Sequence, residues 1–226
     1  MNLLAIDTAS TLCAASVLGV EAGIETGRAV LDIGRGHAEH LITVVLAAMR
    51  DADVGFADLG AVAVCIGPGS FTGVRVGVSA ARGFALALKI PAVGVTVFEA
   101  MAAEARDQFG ARPVMCALDA GRGEVNAAVF DPRGGPTTGP LAVDLDGAVA
   151  LARQISPILV GSAAAKIAEK AMADFQVGSK MATADIRFYA MLASAKGKTN
   201  DKPRPLYLRG ADAKPQGGFV LPRQRR

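Results

Sequence analysis

The chain has no tryptophan and only two tyrosines, two histidines and three cysteines among its 226 residues. Each scarcity excludes something. Cys13, Cys65 and Cys116 stand alone inside apolar runs, a pattern that suits small core hydrophobes of a reducing compartment and not a disulfide frame or a cysteine metal site. No apolar run reaches the ~18 to 20 residues needed to span a bilayer. The N-terminus lacks a basic stretch followed by a long apolar run, so no signal peptide is expected, and a cytoplasmic protein with no membrane partner is. The net charge of +3 is too small to imply nucleic-acid binding by itself. No Lys-Ser/Thr pair closes the chain's main glycine-rich loop and no serine sits in a nucleophile elbow, which argues against a P-loop and a serine hydrolase.

What is abundant is apolar: 51% of residues are hydrophobic, enough for a sizeable core in one large or two small domains. The organising stretch runs from Ala61 to Leu88. Ala61–Ile66 reads as a buried strand. Gly67-Pro68-Gly69-Ser70 breaks it, and Ser70 or Thr72 caps the helix that follows. On that helix Gly73, Gly77, Ala81 and Ala85 form a smooth small-residue stripe, while Arg75, Arg82 and Lys89 form the charged one. A surface helix ordinarily buries a stripe about 100° wide; this one is apolar enough to be covered on two sides. The helix predicted over residues 37–51 shares that excess, with Leu41, Ile42, Val44, Val45, Leu46 and Met49.

In chain order, strands are predicted at 2–7, 12–18 and 23–32, then the 37–51 helix, the strand and helix just described, a strand at 91–95 and a helix at 97–109. A second set begins with strands at 114–119 and 124–130, followed by a Pro/Gly-rich loop at 131–140. Helix 145–154, strand 157–161, helix 163–175, helix 183–195 with a Thr183 cap, and a short strand at 205–209 complete it. The remaining Gly/Pro-rich, basic stretch is expected to be an untethered tail. Both sets open with a hairpin whose first strand ends in an acid, Asp7 or Asp119. That echo predicts a duplicated α/β chain of the two-domain actin-like, ribonuclease-H-like ATPase (ASKHA) architecture with a reduced second domain. The expected division is 1–108, 109–210 and a tail at 211–226. Fold alone fixes no function.

The residues leave several chemistries open. His37 and His40, three apart near a helix start, present either a metal pair with a ligand such as Asp7 or a polar helix edge near a partner. Asp7 and Asp119 either hold magnesium, as acids do in actin-like ATPases, or cap the turns after buried strands. The loop Gly67–Gly73 either lets backbone pass close to backbone or contacts an anion. Arg223, Arg225 and Arg226 are either a solvated end or a contact to RNA phosphates. An ATPase or metal-dependent hydrolase is thus the alternative to a binding subunit.

Gly67-Pro68-Gly69-Ser70-Phe71-Thr72-Gly73 with Val74, Arg75, Val76 and Gly77 is similar to the signature of the TsaB (YeaZ) family. Ile6-Asp7-Thr8, then Arg35, Gly36, His37, Glu39 and Leu41, resemble further motifs of that family. So do Leu118-Asp119-Ala120 with Arg122–Val125, and Pro205, Tyr207, Leu208 and Arg209. Gly121 and Asn126 depart from it, standing where Arg and Tyr are usual. The resemblance implies a non-catalytic subunit that binds and stabilises TsaD, joined by ATP-binding TsaE. Together they attach a threonylcarbamoyl group, delivered as threonylcarbamoyl-AMP by a TsaC-type enzyme, to adenosine 37 of tRNA. It implies no catalytic residue, metal or cofactor of its own, ATP and metal belonging to the partners. It implies contact with tRNA only through the complex; alone, the chain is expected to form a homodimer through the same face that meets TsaD, since a large apolar patch rarely stays bare. The expected partner face comprises Arg35, His37, His40, Leu41, Val44, Val45, Arg75, Val78 and Arg82, and the loop Gly67, Pro68, Gly69, Ser70, Phe71, Thr72 and Gly73 is expected to be structural.

Overall fold

Two sheets carry the chain in a computed structural model that describes residues 1–197 and 201–208. The first has five strands in the order β3-β2-β1-β4-β5: β1 Asn2–Asp7, β2 Leu12–Gly19, β3 Ile24–Asp32, β4 Leu59–Cys65 and β5 Ala92–Val95. The second has four in the order β8-β7-β6-β9: β6 Val114–Gly121, β7 Glu124–Phe130, β8 Pro136–Asp144 and β9 Ile158–Val160. In each sheet the opening strand pairs antiparallel with its hairpin partner and parallel with a later strand, β1 with β4 and β6 with β9. The duplication expected from the two acid-ended hairpins is therefore present in the topology.

Helices α1 His37–Asp51 and α2 Phe71–Leu88 pack side by side on the first sheet. Leu3, Leu4, Ala5 and Ile6 of the central strand β1 are all buried, so the sheet is covered on both faces. Its other cover is α6 Ile186–Lys196, with α3 Val97–Phe109 between α6 and the second sheet. Helix α6, late in the sequence, thus belongs with the first sheet. Arg28 on β3 clamps it there, its guanidinium reaching both oxygens of Asp185 at 2.6 and 2.8 Å. Helices α4 Leu145–Ile155 and α5 Ala164–Ala171 bury a separate core against the second sheet.

Four sequence expectations change. Residues 136–144, expected to lie in or after a loop, form β8. It is an edge strand, where Pro136 and Gly139 are tolerated because one side needs no ladder. Helix α5 stops at Ala171 because Met172 takes a left-handed conformation and Gln176 and Val177 return to β9. Helix α6 starts three residues late: Asp185 is its cap, accepting from the Arg187 amide, and Thr183 is spent elsewhere. No strand forms over residues 205–208, although the Leu206 amide donates to the Ile66 carbonyl at 2.7 Å. Arg209 and the tail with Arg223, Arg225 and Arg226 lie outside the described residues.

The small-residue stripe of α2 faces its own sheet. A Cβ on Gly73 would overlap the Thr8 carbonyl, and one on Gly77 would come within 2.5 Å of the Thr8 hydroxyl; Ala81 is fully buried. Close approach is thus used inside the chain and not for a partner. Gly77→Ala is expected to lower stability by about 1–3 kcal/mol through overpacking, readable as a fall in the urea midpoint at constant slope.

Candidate functional site

The expected structural loop is bonded to the β1–β2 turn on one side and to the start of α3 on the other. Ser70 donates its amide to the Ala9 carbonyl at 2.7 Å. The Thr8 hydroxyl donates to the Gly73 carbonyl at 2.7 Å in a buried bond. Gly67, at φ 94°, accepts from the Val97 amide at 2.9 Å. A side chain on Gly69 would collide with the Ala9 carbonyl. Ser70, not Thr72, caps α2, its hydroxyl accepting from the Gly73 amide at 3.2 Å. Backbone passing close to backbone is what these glycines permit.

Asp7, the first-strand acid, is buried at 1% exposure. One carboxylate oxygen accepts from the Ala9 amide at 2.8 Å and the other from the Thr183 hydroxyl at 2.6 Å. Thr183, having given its only proton, accepts from the Tyr189 hydroxyl at 2.6 Å. The result is a directed relay from α6 to the turn that anchors α2. Burial pushes the Asp7 carboxyl above its ordinary 3.8, against the lowering pull of Thr183, Ala9, Cys65 and His37. Asp119, at the matching place in the second sheet, is exposed but engaged. It accepts from the Gly121 amide at 2.8 Å and pairs with Lys166, whose hydrogen bond leads the causes that hold its carboxyl below the usual range.

The two histidines separate. His37 is buried and donates Nε2–H to the Leu12 carbonyl at 3.1 Å, while His40 is exposed. Among the described residues no three His, Cys, Asp or Glu side chains come together as a metal group.

The expected partner face is partly inverted. Leu41, Val44, Val45 and Val78 are no more than 3% exposed and His37 is 6% exposed. They point into the chain's own core because α1 and α2 rest on the sheet through those positions. Arg35, His40, Arg75 and Arg82 are exposed, as is Phe71. The large apolar residues left outside on this pair are Ile42 (50% exposed) and Leu46 (40%), one turn apart on α1, and Phe71 (55%) and Leu86 (82%) at the two ends of α2. The i, i+4 spacing of Ile42 and Leu46 was visible in the sequence; which side of each apolar helix met the sheet was not.

Between the sheets lies a cleft of about 890 Å³. The β1–β2 turn, the start of α2, Leu118–Ala120, Ser162 and the segment 206–208 form its walls. At its rim the Arg75 guanidinium sits 3.7 Å over the Phe71 ring and donates Nε–H to the Tyr207 hydroxyl at 2.7 Å.

The relay sets two expected outcomes. A native carboxyl raised above its unfolded value binds its proton more tightly than the unfolded chain does. Its contribution is therefore complete below pH 3.8 and lost as pH rises through the raised native value. Asp7→Asn has no such ionisation, so the stability of wild type minus Asp7→Asn should fall across that rise in denaturation curves taken at a pH series. Thr183→Val, which strands two buried partners, should cost about 1–3 kcal/mol at neutral pH by the same measurement.

The family model described as "TsaD: tRNA N6-adenosine threonylcarbamoyltransferase" matches residues 32–199. The tRNA threonylcarbamoyladenosine biosynthesis protein TsaB of Escherichia coli is 36% identical over 133 residues, 58% of this chain and 55% of that protein. The chain thus spans about half the length of that relative. An uncharacterized protein of Mycobacterium tuberculosis is 34% identical over 220 residues, 95% of this chain and 94% of its own. YeaZ from Pseudomonas aeruginosa superposes with a TM-score of 0.73 at 22% identity, covering 92% of this chain and 99% of that one, a likeness of fold. With its doubled actin-like sheets and a TsaD family model that matches residues 32–199, most of its length, the chain belongs to the TsaB/YeaZ family.

Proposed function

We propose that this chain is a non-catalytic subunit that docks on a TsaD protein and holds it in its active shape for threonylcarbamoylation of adenosine 37 in tRNA. TsaE joins the assembly in the cytoplasm, tRNA is met only through the complex, and the chain brings no metal or cofactor of its own. The observation that carries the reading is the outward face of α1 and α2, with Ile42, Leu46 and Leu86 exposed on two packed helices and Arg35, His40 and Arg82 exposed on or beside them. Exposed large apolar side chains with polar groups beside them suit a docking surface, and the description of the matching family model and the name of the Escherichia coli relative, both of threonylcarbamoyl chemistry on tRNA, support a TsaD-type partner. Alone, the chain covers this face with a second copy. The non-catalytic part is supported by the two acids on which an ATPase or hydrolase would rely. Both oxygens of Asp7 are sealed inside the protein, and Asp119 is paired with Lys166.

Burying one such leucine contributes about 1.5–3 kcal/mol, less the cost of association. Ile42→Glu with Leu86→Glu should weaken TsaD binding at least about 100-fold, roughly 3 kcal/mol. Circular dichroism should be unchanged, since both sites are exposed. Size-exclusion chromatography with the TsaD of the same organism reads the outcome, and a folded double variant that still co-elutes overturns the docking face. Val44→Glu and Val78→Glu, by contrast, should unfold the chain, at about 4 kcal/mol or more for a charge driven into the core. Reconstituted tRNA modification should need this chain and be unaffected by Asp119→Asn.

A further inference from the structure

We propose that the cleft between the two sheets binds a small organic anion with a flat apolar body, held on the guanidinium of Arg75 and without a divalent metal.

Room is the first argument. A cleft of about 890 Å³ is of the size that takes small ligands.

Arg75 is the second. It stands one turn into α2, above Phe71 and against Tyr207. A surface arginine ordinarily gives up rotamer freedom when it binds. Here ring stacking and the Nε–H bond have already ordered it, and the two terminal nitrogens have no partner among the described residues. What remains is a planar two-nitrogen fork, the shape that matches a carboxylate or a phosphate. The positive end of α2 adds to the potential on that side.

Charge on the remaining walls is the third. Asp119, the acid on the wall, is spent on Lys166 and the Gly121 amide, and Asp7 is turned inward and sealed. Neither is free to hold a metal that would carry the ligand's charge, so that charge falls to Arg75. The hydroxyl oxygens of Ser10 and Ser162 accept from the amides of Leu12 and Asp119, which leaves each O–H free to donate into the cleft they line. Val74, Leu118 and Leu206 on the walls, with the Phe71 and Tyr207 rings at the rim, supply the apolar surface for the ligand's body.

Phenyl phosphate and benzoate share a ring and differ in the anion; benzamide is the neutral control. Calorimetry on the full chain should show saturable one-site binding of at least one anion at about 1 mM or tighter. Excess EDTA should leave it unchanged, and benzamide should not bind. The preferred anion identifies the ligand as a phosphate monoester or a carboxylate. Arg75→Gln should weaken binding at least about tenfold, and Arg75→Lys by less, because the ammonium keeps the charge and loses the fork. Tyr207→Phe, which frees the guanidinium without touching the charge, should weaken it about threefold. Arg75 and Tyr207 are exposed, so melting temperatures report that each variant is folded. The proposal is overturned if neither anion binds, if binding needs magnesium, or if Arg75→Gln binds as well as wild type. None of these outcomes bears on the docking of TsaD to the outer face of α1 and α2, which is read by co-elution.

Discussion

One carboxylate without water around it ties the first half of the molecule to its end. Asp7 is taken out of solvent at the tip of the central strand, and its two oxygens are met from opposite directions in sequence, by Ala9 two residues on and by Thr183 near the chain's far end. A buried acid is costly unless every lone pair finds a donor. That requirement fixes the position of the 183–189 segment and, through it, of α6. The same turn hands the Ala9 carbonyl to Ser70 and the Thr8 hydroxyl to Gly73. The start of α2 is thereby held by the strand it follows in space and not in sequence.

The consequence for function is a division of labour between surfaces. The inner sides of α1 and α2 are spent on the chain's own sheet, down to glycines that let α2 approach Thr8 closely. The outer sides keep a few large apolar groups that no element among the described residues covers. On the cleft side, the acids of the two hairpins are both engaged within the chain: one is sealed, the other is paired with a lysine. What the cleft offers a ligand is a guanidinium stacked on the Phe71 ring and bonded to the Tyr207 hydroxyl, together with hydroxyl donors.

Much of the architecture was legible from residue patterns. Alternating and continuous apolar runs gave strands β1 to β7 and β9 and helices α1 to α3, because each buries enough to outweigh local alternatives. The repeated strand–acid–turn–strand order disclosed the doubling. Edge strand β8 escaped, since an edge needs neither a full ladder nor a buried face and so leaves Pro136 and Gly139 looking like a loop. Thr183 escaped as well: a threonine ahead of an apolar run reads as a cap, and only contact with a residue 176 positions away gives it another use.

The order of strands and helices up to β7, the Gly67–Gly73 break and the family were determined by the sequence alone, because each rests on residues close together along the chain. Which side of α1 and α2 faces outward, where the Asp7 carboxylate points and what Arg75 leans on were decided only in the tertiary structure. Both helices are apolar on more than one side, so their periodicity fits several rotations about the axis. For α2 the choice is fixed against Thr8, while Thr183 sets Asp7 and Tyr207 sets Arg75, and the nearness of each pair is a product of the fold with no trace in local spacing.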